Sequence, residues 1–191
     1  MEKQKDVLYH ISGVGGLKQL DPSPNGRGNT WVYATKYSHI ALLFGGDWSD
    51  NDFILKTKEN GKISFSETYP NAFDDIYTGK SCYLYEIEDS GFSSGRTTFS
   101  LEIVSEKPAR VLKETKVDDV KKALLDEVAK GSIELKFYEK TLEYRQMVSN
   151  HMINLIIKFD ILTQPNAERI MKYFGELKKY IDEALTGKFL V

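Results

Sequence analysis

The 191-residue chain is long enough to bury a single core, and its 41% hydrophobic and 28% charged residues are ordinary for a globular protein. A formal charge of −2 argues against binding nucleic acid mainly by neutralising phosphates, and the single cysteine excludes an internal disulfide. Met1 to Asp6 leads into only a few apolar residues, so no signal peptide is expected, and no apolar run approaches a membrane span. The expectation is a cytoplasmic chain with no membrane partner.

In chain order, Leu8-Tyr9-His10-Ile11-Ser12 is a short apolar run with embedded polar side chains, the composition of a strand beside a cleft. Gly13, Gly15 and Gly16 follow, but the spacing is GxGG with no clear helix behind it, which argues against a dinucleotide fingerprint. Asp21 to Asn29, with two prolines and two glycines, reads as a loop. Trp31 to Thr35 reads as a second strand and Tyr37 to Phe44 as a short helix ended by Gly45-Gly46, which puts Tyr33 and Thr35 at the mouth of a cleft. His39 reads as a partly exposed surface histidine.

Phe53 to Lys56 and Lys62 to Phe65 form a hairpin pattern around Asn60-Gly61, and Tyr69 to Tyr77 reads as an irregular aromatic loop that either lines a site or fills a core. Cys82 to Glu88, Phe99 to Val104 and Ala109 to Leu112 complete the expected strands, and Cys82 reads as a buried thiol rather than a nucleophile.

Everything after residue 112 reads as helical. Val117 to Lys130 begins with Asp118 and Asp119 and stops at Gly131. Tyr138 to Ile161 puts Leu142, Val148, Met152, Leu155, Ile156 and Phe159 on one face, and Pro165 breaks it. A third helix capped by Asn166 packs on it as a hairpin and offers a face for a homodimer. His151, Asn154 and Lys158 form a polar row that reads as the solvated face of its helix. The histidines are too scattered for a metal site. Strands followed by helices make an α+β order, divided at residues 112 and 113 into a β-rich core and a helical extension.

Across residues 7–112, Leu8-Tyr9-His10-Ile11-Ser12, then Val32-Tyr33-Ala34-Thr35, then Glu102-Ile103-Val104-Ser105 resemble the ADP-ribosyltransferase-like family in its histidine-tyrosine-glutamate branch. The resemblance implies a split antiparallel β-sandwich holding NAD, as substrate, in its cleft, with no metal. It assigns NAD binding to Tyr9, His10, Ser12, Tyr33 and Thr35, and catalysis to Glu102, His10 and Tyr33. His10 donates to a ribose hydroxyl of the adenosine half, Ser12 orients the nicotinamide side, and Tyr33 stacks on the nicotinamide. Glu102 bonds the ribose 2′-hydroxyl as positive charge develops on the sugar.

Glu67 and Glu86 are rival acids. Glu102 fits better because a small aliphatic residue and a serine follow it, with the Arg110-Val111-Leu112 strand close behind. Ile11 stands where the family has a small residue. Ser100 stands where arginine-modifying members have a second acid, which makes arginine a doubtful acceptor. The acceptor is a protein side chain, a nucleic acid or a small molecule. The alternative function is a non-catalytic module of the same fold that binds a nucleotide or a protein partner. Convergence of His10, Tyr33 and Glu102 on one open cleft is the observation that separates the two.

Overall fold

The computed structural model describes residues 7–24, 28–89 and 91–159, with side chains through Leu155. Its elements are β1 (Val7–Ser12), β2 (Gln19–Leu20), β3 (Ser23–Pro24), β4 (Thr30–Thr35), α1 (Ser38–Leu43), β5 (Phe53–Thr57), β6 (Ile63–Glu67) and α2 (Ala72–Tyr77), followed by β7 (Cys82–Glu88), β8 (Ser93–Ser94), β9 (Glu102–Ser105), β10 (Ala109–Val117), α3 (Val120–Ala129), β11 (Ile133–Lys136) and α4 (Leu142–Phe159). The protein is mixed α+β, mostly antiparallel sheet with a few helices.

By backbone proximity the chain forms two units. Of the described residues, the first contains those up to 47 together with 57–62 and 77–133, and the second contains 48–56, 63–76 and those from 134 to 159. The expected division at residue 112 falls inside β10, and part of the expected β-rich core belongs to the unit of α4.

The first unit holds an eight-stranded sheet in the order β2-β10-β7-β1-β4-β9-β8, with β3 paired to β4. Alternation sets its faces. Leu8, Val32, Ala34, Tyr85, Ile87 and Ile103 form a buried cluster on one side. Trp31, Tyr33 and Thr35 occupy the other positions of β4. Helix α1 buries Ile40, Ala41, Leu42 and Leu43, and Tyr77 Oη donates to the Leu43 carbonyl at 2.7 Å.

Strand β10 runs five residues beyond the expected Leu112. Its Lys113, Glu114 and Lys116 disguise it as non-strand, but each pairs with β7, and Lys113 Nζ reaches Glu86 at 2.7 Å. Helix α3 therefore starts late, capped by Asp119, whose carboxylate accepts from the Lys122 amide at 2.9 Å.

The second unit holds a three-stranded sheet, β11-β6-β5. Strand β11 corrects the expectation of helix alone after residue 112, because four residues with a single fully buried side chain, Ile133, leave almost no pattern. The expected aromatic loop contains α2. Tyr69, Ala72, Phe73, Ile76 and Tyr77 are all buried at helical spacing, and Asn71 absorbs the turn into the helix at φ 64°. Their role is core packing.

On α4, Tyr144, Val148, Met152 and Leu155 pack with Ile54, while Leu142 is 53% exposed and does not share that face. Phe53 stacks on Phe65 with centroids 4.0 Å apart. Ile156 and Phe159 lie beyond the described side chains, as does Lys158 of the polar row, and the expected third helix and its hairpin lie outside the described residues. No helix among the described residues is long and apolar enough to cross a membrane.

Candidate functional site

Strand β1 stays in register with β7 along its whole length, from Val7–Glu88 to Ser12–Tyr83, but meets β4 in register at one pair, Tyr9–Thr35. Beyond that pair the two strands part. Polar backbone left at such an opening needs partners. His10 supplies one, bonding from Nδ1 to the Tyr33 carbonyl at 2.7 Å. A carbonyl can only accept, so Nδ1 carries the hydrogen and the neutral ring keeps Nε2 as an acceptor. Burial holds the His10 pKa below its ordinary value, which favours the neutral ring, and the bond to Tyr33 opposes this more weakly. The donation by His10 that the resemblance implies becomes an acceptance in this tautomer.

A cavity of about 330 Å³ opens here, lined by Tyr9, His10, Ile11, Tyr33, Thr35 and Glu102, with Ala34, Ile40, Ala41 and Phe44 completing the wall. All belong to the first unit. Four of the five expected binding residues line it, and so do all three expected catalytic residues. Ser12 does not. Its Oγ accepts from the Val14 amide at 3.0 Å and closes the turn after β1.

Glu102 enters from β9, directly opposite Thr35. Burial raises its pKa above the ordinary 4.5, opposed by a hydrogen bond with the Thr97 side chain. Thr35 is buried, and its Oγ1 accepts from the Tyr37 amide at 3.3 Å, which fixes the turn into α1. Tyr33 packs edge-on against Trp31 with centroids 6.0 Å apart, and Arg96 lies 4.7 Å from the Trp31 ring centre.

The rival acids have structural partners. Glu67 is buried in the second unit and accepts from the Phe73 and Tyr138 amides, each at 2.8 Å. Glu86 pairs with Lys113. Ser100 bonds Thr57, Oγ to Oγ1, at 3.2 Å. His39, expected to be partly exposed, is half-buried and bonds the Gly61 carbonyl from Nε2 at 2.9 Å. Cys82 is buried, with its thiol pushed up to about 11 by desolvation.

Sequence reasoning missed the contribution of α1, whose Ile40 and Ala41 form an apolar wall with Phe44 just after the helix. The i, i+1, i+4 spacing of these residues directly after Tyr-Ala-Thr is the signal that could have revealed it. Among the described residues, no group of three or more His, Cys, Asp or Glu could hold a metal. No family model, curated protein or solved structure matches the chain significantly.

Proposed function

We propose that the chain is an NAD-dependent ADP-ribosyltransferase of the histidine-tyrosine-glutamate type, built on a split antiparallel sheet. The observation that carries this reading is the cavity itself, where His10, Tyr33 and Glu102 arrive from three strands at the place where β1 leaves β4.

The residues fit the substrate's chemistry. Tyr33, with Ile40, Ala41 and Phe44 nearby, offers an aromatic and aliphatic environment for the flat nicotinamide ring. The Nε2 of neutral His10 accepts from a ribose hydroxyl. Glu102, once ionised, accepts from the ribose 2′-hydroxyl, and that bond strengthens as the nicotinamide–ribose bond breaks and positive charge grows on the sugar. Burial makes the interaction stronger than it would be in water.

About 330 Å³ is at the lower end of the roughly 300–1,000 Å³ of small-molecule sites. It suits the nicotinamide-ribose half, with the rest of the dinucleotide lying outside the cavity. The same restriction, together with Ile11 in the wall, favours as second reading a non-catalytic module that binds a smaller nucleotide fragment or a protein partner.

Calorimetry of NAD binding to wild type and Tyr33→Ala, followed by nicotinamide release by wild type and Glu102→Gln, separates the two. Binding lost in the first variant and release lost in the second support the transferase. No binding at millimolar NAD leaves the module.

A further inference from the structure

The row of side chains that carries Glu102 runs on past the cavity. In the ladders Glu102 stands opposite Thr35, Thr35 opposite Tyr9, Tyr9 opposite Glu86 and Glu86 opposite Lys113. Directly opposed residues share a face, so all five lie on one face of β9, β4, β1, β7 and β10. Glu102, Thr35 and Tyr9 line the cavity, and Glu86 and Lys113 continue the row outside it. Lys113 Nζ meets Glu86 Oε1 at 2.7 Å, with the lysine side chain 63% exposed and the glutamate 28% exposed, so solvent reaches the row there. An ion pair this open adds little to stability.

Two acids therefore stand on one face with a phenol and a hydroxyl between them. Adjacent strands lie about 4.8 Å apart, and β7 is the third strand from β9, which sets Glu86 and Glu102 about 14 Å apart along the sheet. This is of the order of the distance between the two riboses of an extended dinucleotide, and the cavity of about 330 Å³ leaves the second ribose outside.

We propose that Glu86 takes the adenosine ribose of NAD and thereby selects NAD over NADP. The proposal rests on the ADP-ribosyl transfer reading and assigns a residue to the half of the substrate that lies outside the cavity. A carboxylate accepts a hydrogen bond from a ribose 2′-hydroxyl, whereas a 2′-phosphate brings a second anion to the same place. Lys113 has two tasks. It holds the carboxylate by one oxygen, which leaves acceptor capacity for the sugar, and it offsets the charge of Glu86 against the passing diphosphate. A ribose has two hydroxyls, so Glu86 and the Nε2 of His10 do not compete for one hydrogen.

The test is calorimetry on the full chain, as wild type and Glu86→Gln, with NAD, NADP and nicotinamide mononucleotide, which has the nicotinamide ribose but no adenosine. Glutamine keeps the shape of the side chain, and the pair it breaks is an open one. Wild type is expected to bind NAD at least about tenfold more tightly than NADP. In Glu86→Gln the affinity for NAD is expected to fall about tenfold, while NADP, whose 2′-phosphate can now pair with Lys113, binds at least as tightly as NAD. Mononucleotide binding is expected to stay within about twofold of wild type. Equal affinity of wild type for NAD and NADP, an unchanged NAD affinity in Glu86→Gln, or an equal loss for the mononucleotide overturns the proposal and leaves the transfer reading standing. Wild type that binds neither NAD nor the mononucleotide at millimolar concentration overturns the transfer reading, and this proposal with it.

Discussion

Glu102 and Thr35 stand directly opposite one another in the β4–β9 ladder, and Thr35 in turn stands directly opposite Tyr9. Directly opposed residues share a face, so an acid, a hydroxyl and a phenol form one row across three strands. His10 is next to Tyr9 and belongs by alternation to the other face. It reaches the same cavity because β1 leaves β4 at that point and the imidazole takes over a ladder position by bonding the Tyr33 carbonyl.

That relationship fixes a pH dependence. In the proposed transfer both groups act in the deprotonated form: Glu102 as a carboxylate and His10 through the free Nε2. Burial places Glu102 above 4.5 and His10 below 6.5. Nicotinamide release is therefore expected to fall toward acid as each group takes up its proton, Glu102 at a higher pH than an ordinary glutamate and His10 at a lower pH than an ordinary histidine. A profile that rises toward acid would show that a protonated group does the work.

The fold has its own pH limb. His10 and His151 both have lowered pKa values, chiefly through burial, so the unfolded chain binds protons that the folded one refuses. Their contribution is complete above the ordinary histidine value and is lost as pH falls through the lower folded values. Urea midpoints measured across that window are expected to decline, and less steeply in His151→Gln.

Ser12 and Tyr33 separate structure from binding. Ser12→Ala is expected to leave the NAD dissociation constant within about twofold of wild type, because its hydroxyl serves the Val14 amide and not the cavity. Tyr33→Ala is expected to abolish binding in the same titration. Equal losses in both would place the ligand further along β1 than the cavity.

Glu67 is a buried acid with a structural task. Glu67→Gln places an amide NH₂ against one of two backbone donors and is expected to cost about 1–3 kcal/mol in urea unfolding, without a change in NAD binding. Loss of nicotinamide release in a folded Glu67→Gln protein would move the catalytic acid there.

A side chain at Gly61 is disfavoured for two reasons at once. Its φ of 72° disfavours any side chain, and a Cβ there would run into the Tyr37 ring. Gly61→Ala is expected to lose at least about 1 kcal/mol, read as a lower urea midpoint.

Much of the first unit was legible in the residues. Leu8 to Ser12, Trp31 to Thr35 and Cys82 to Glu88 are short, apolar and bounded by turn residues, and all three are strands within a residue of the expected ends. Helix α2 was not legible: Pro70-Asn71 is a turn signal, and the helical spacing of the buried Tyr69, Ala72, Phe73, Ile76 and Tyr77 emerges only from the packed fold. Strand β11 was not legible, because pairing with β6 rather than its own composition makes it a strand. The far half of β10 was hidden for the same reason, with Lys113 meeting Glu86 and Glu114 meeting Tyr85 across the ladder from β7.

The sequence by itself determined which chemistry is available: one histidine, one tyrosine and one glutamate on three apolar runs, in an order resembling a known family. It also determined the local form of those runs, since alternation and turn residues act over a few positions. Only the tertiary structure decided that Glu102 rather than Glu67 or Glu86 reaches the cavity, that Ser12 does not, and that His10 presents an acceptor. Those outcomes depend on strand register and on the point where β1 parts from β4, which are set by contacts between residues far apart in the chain.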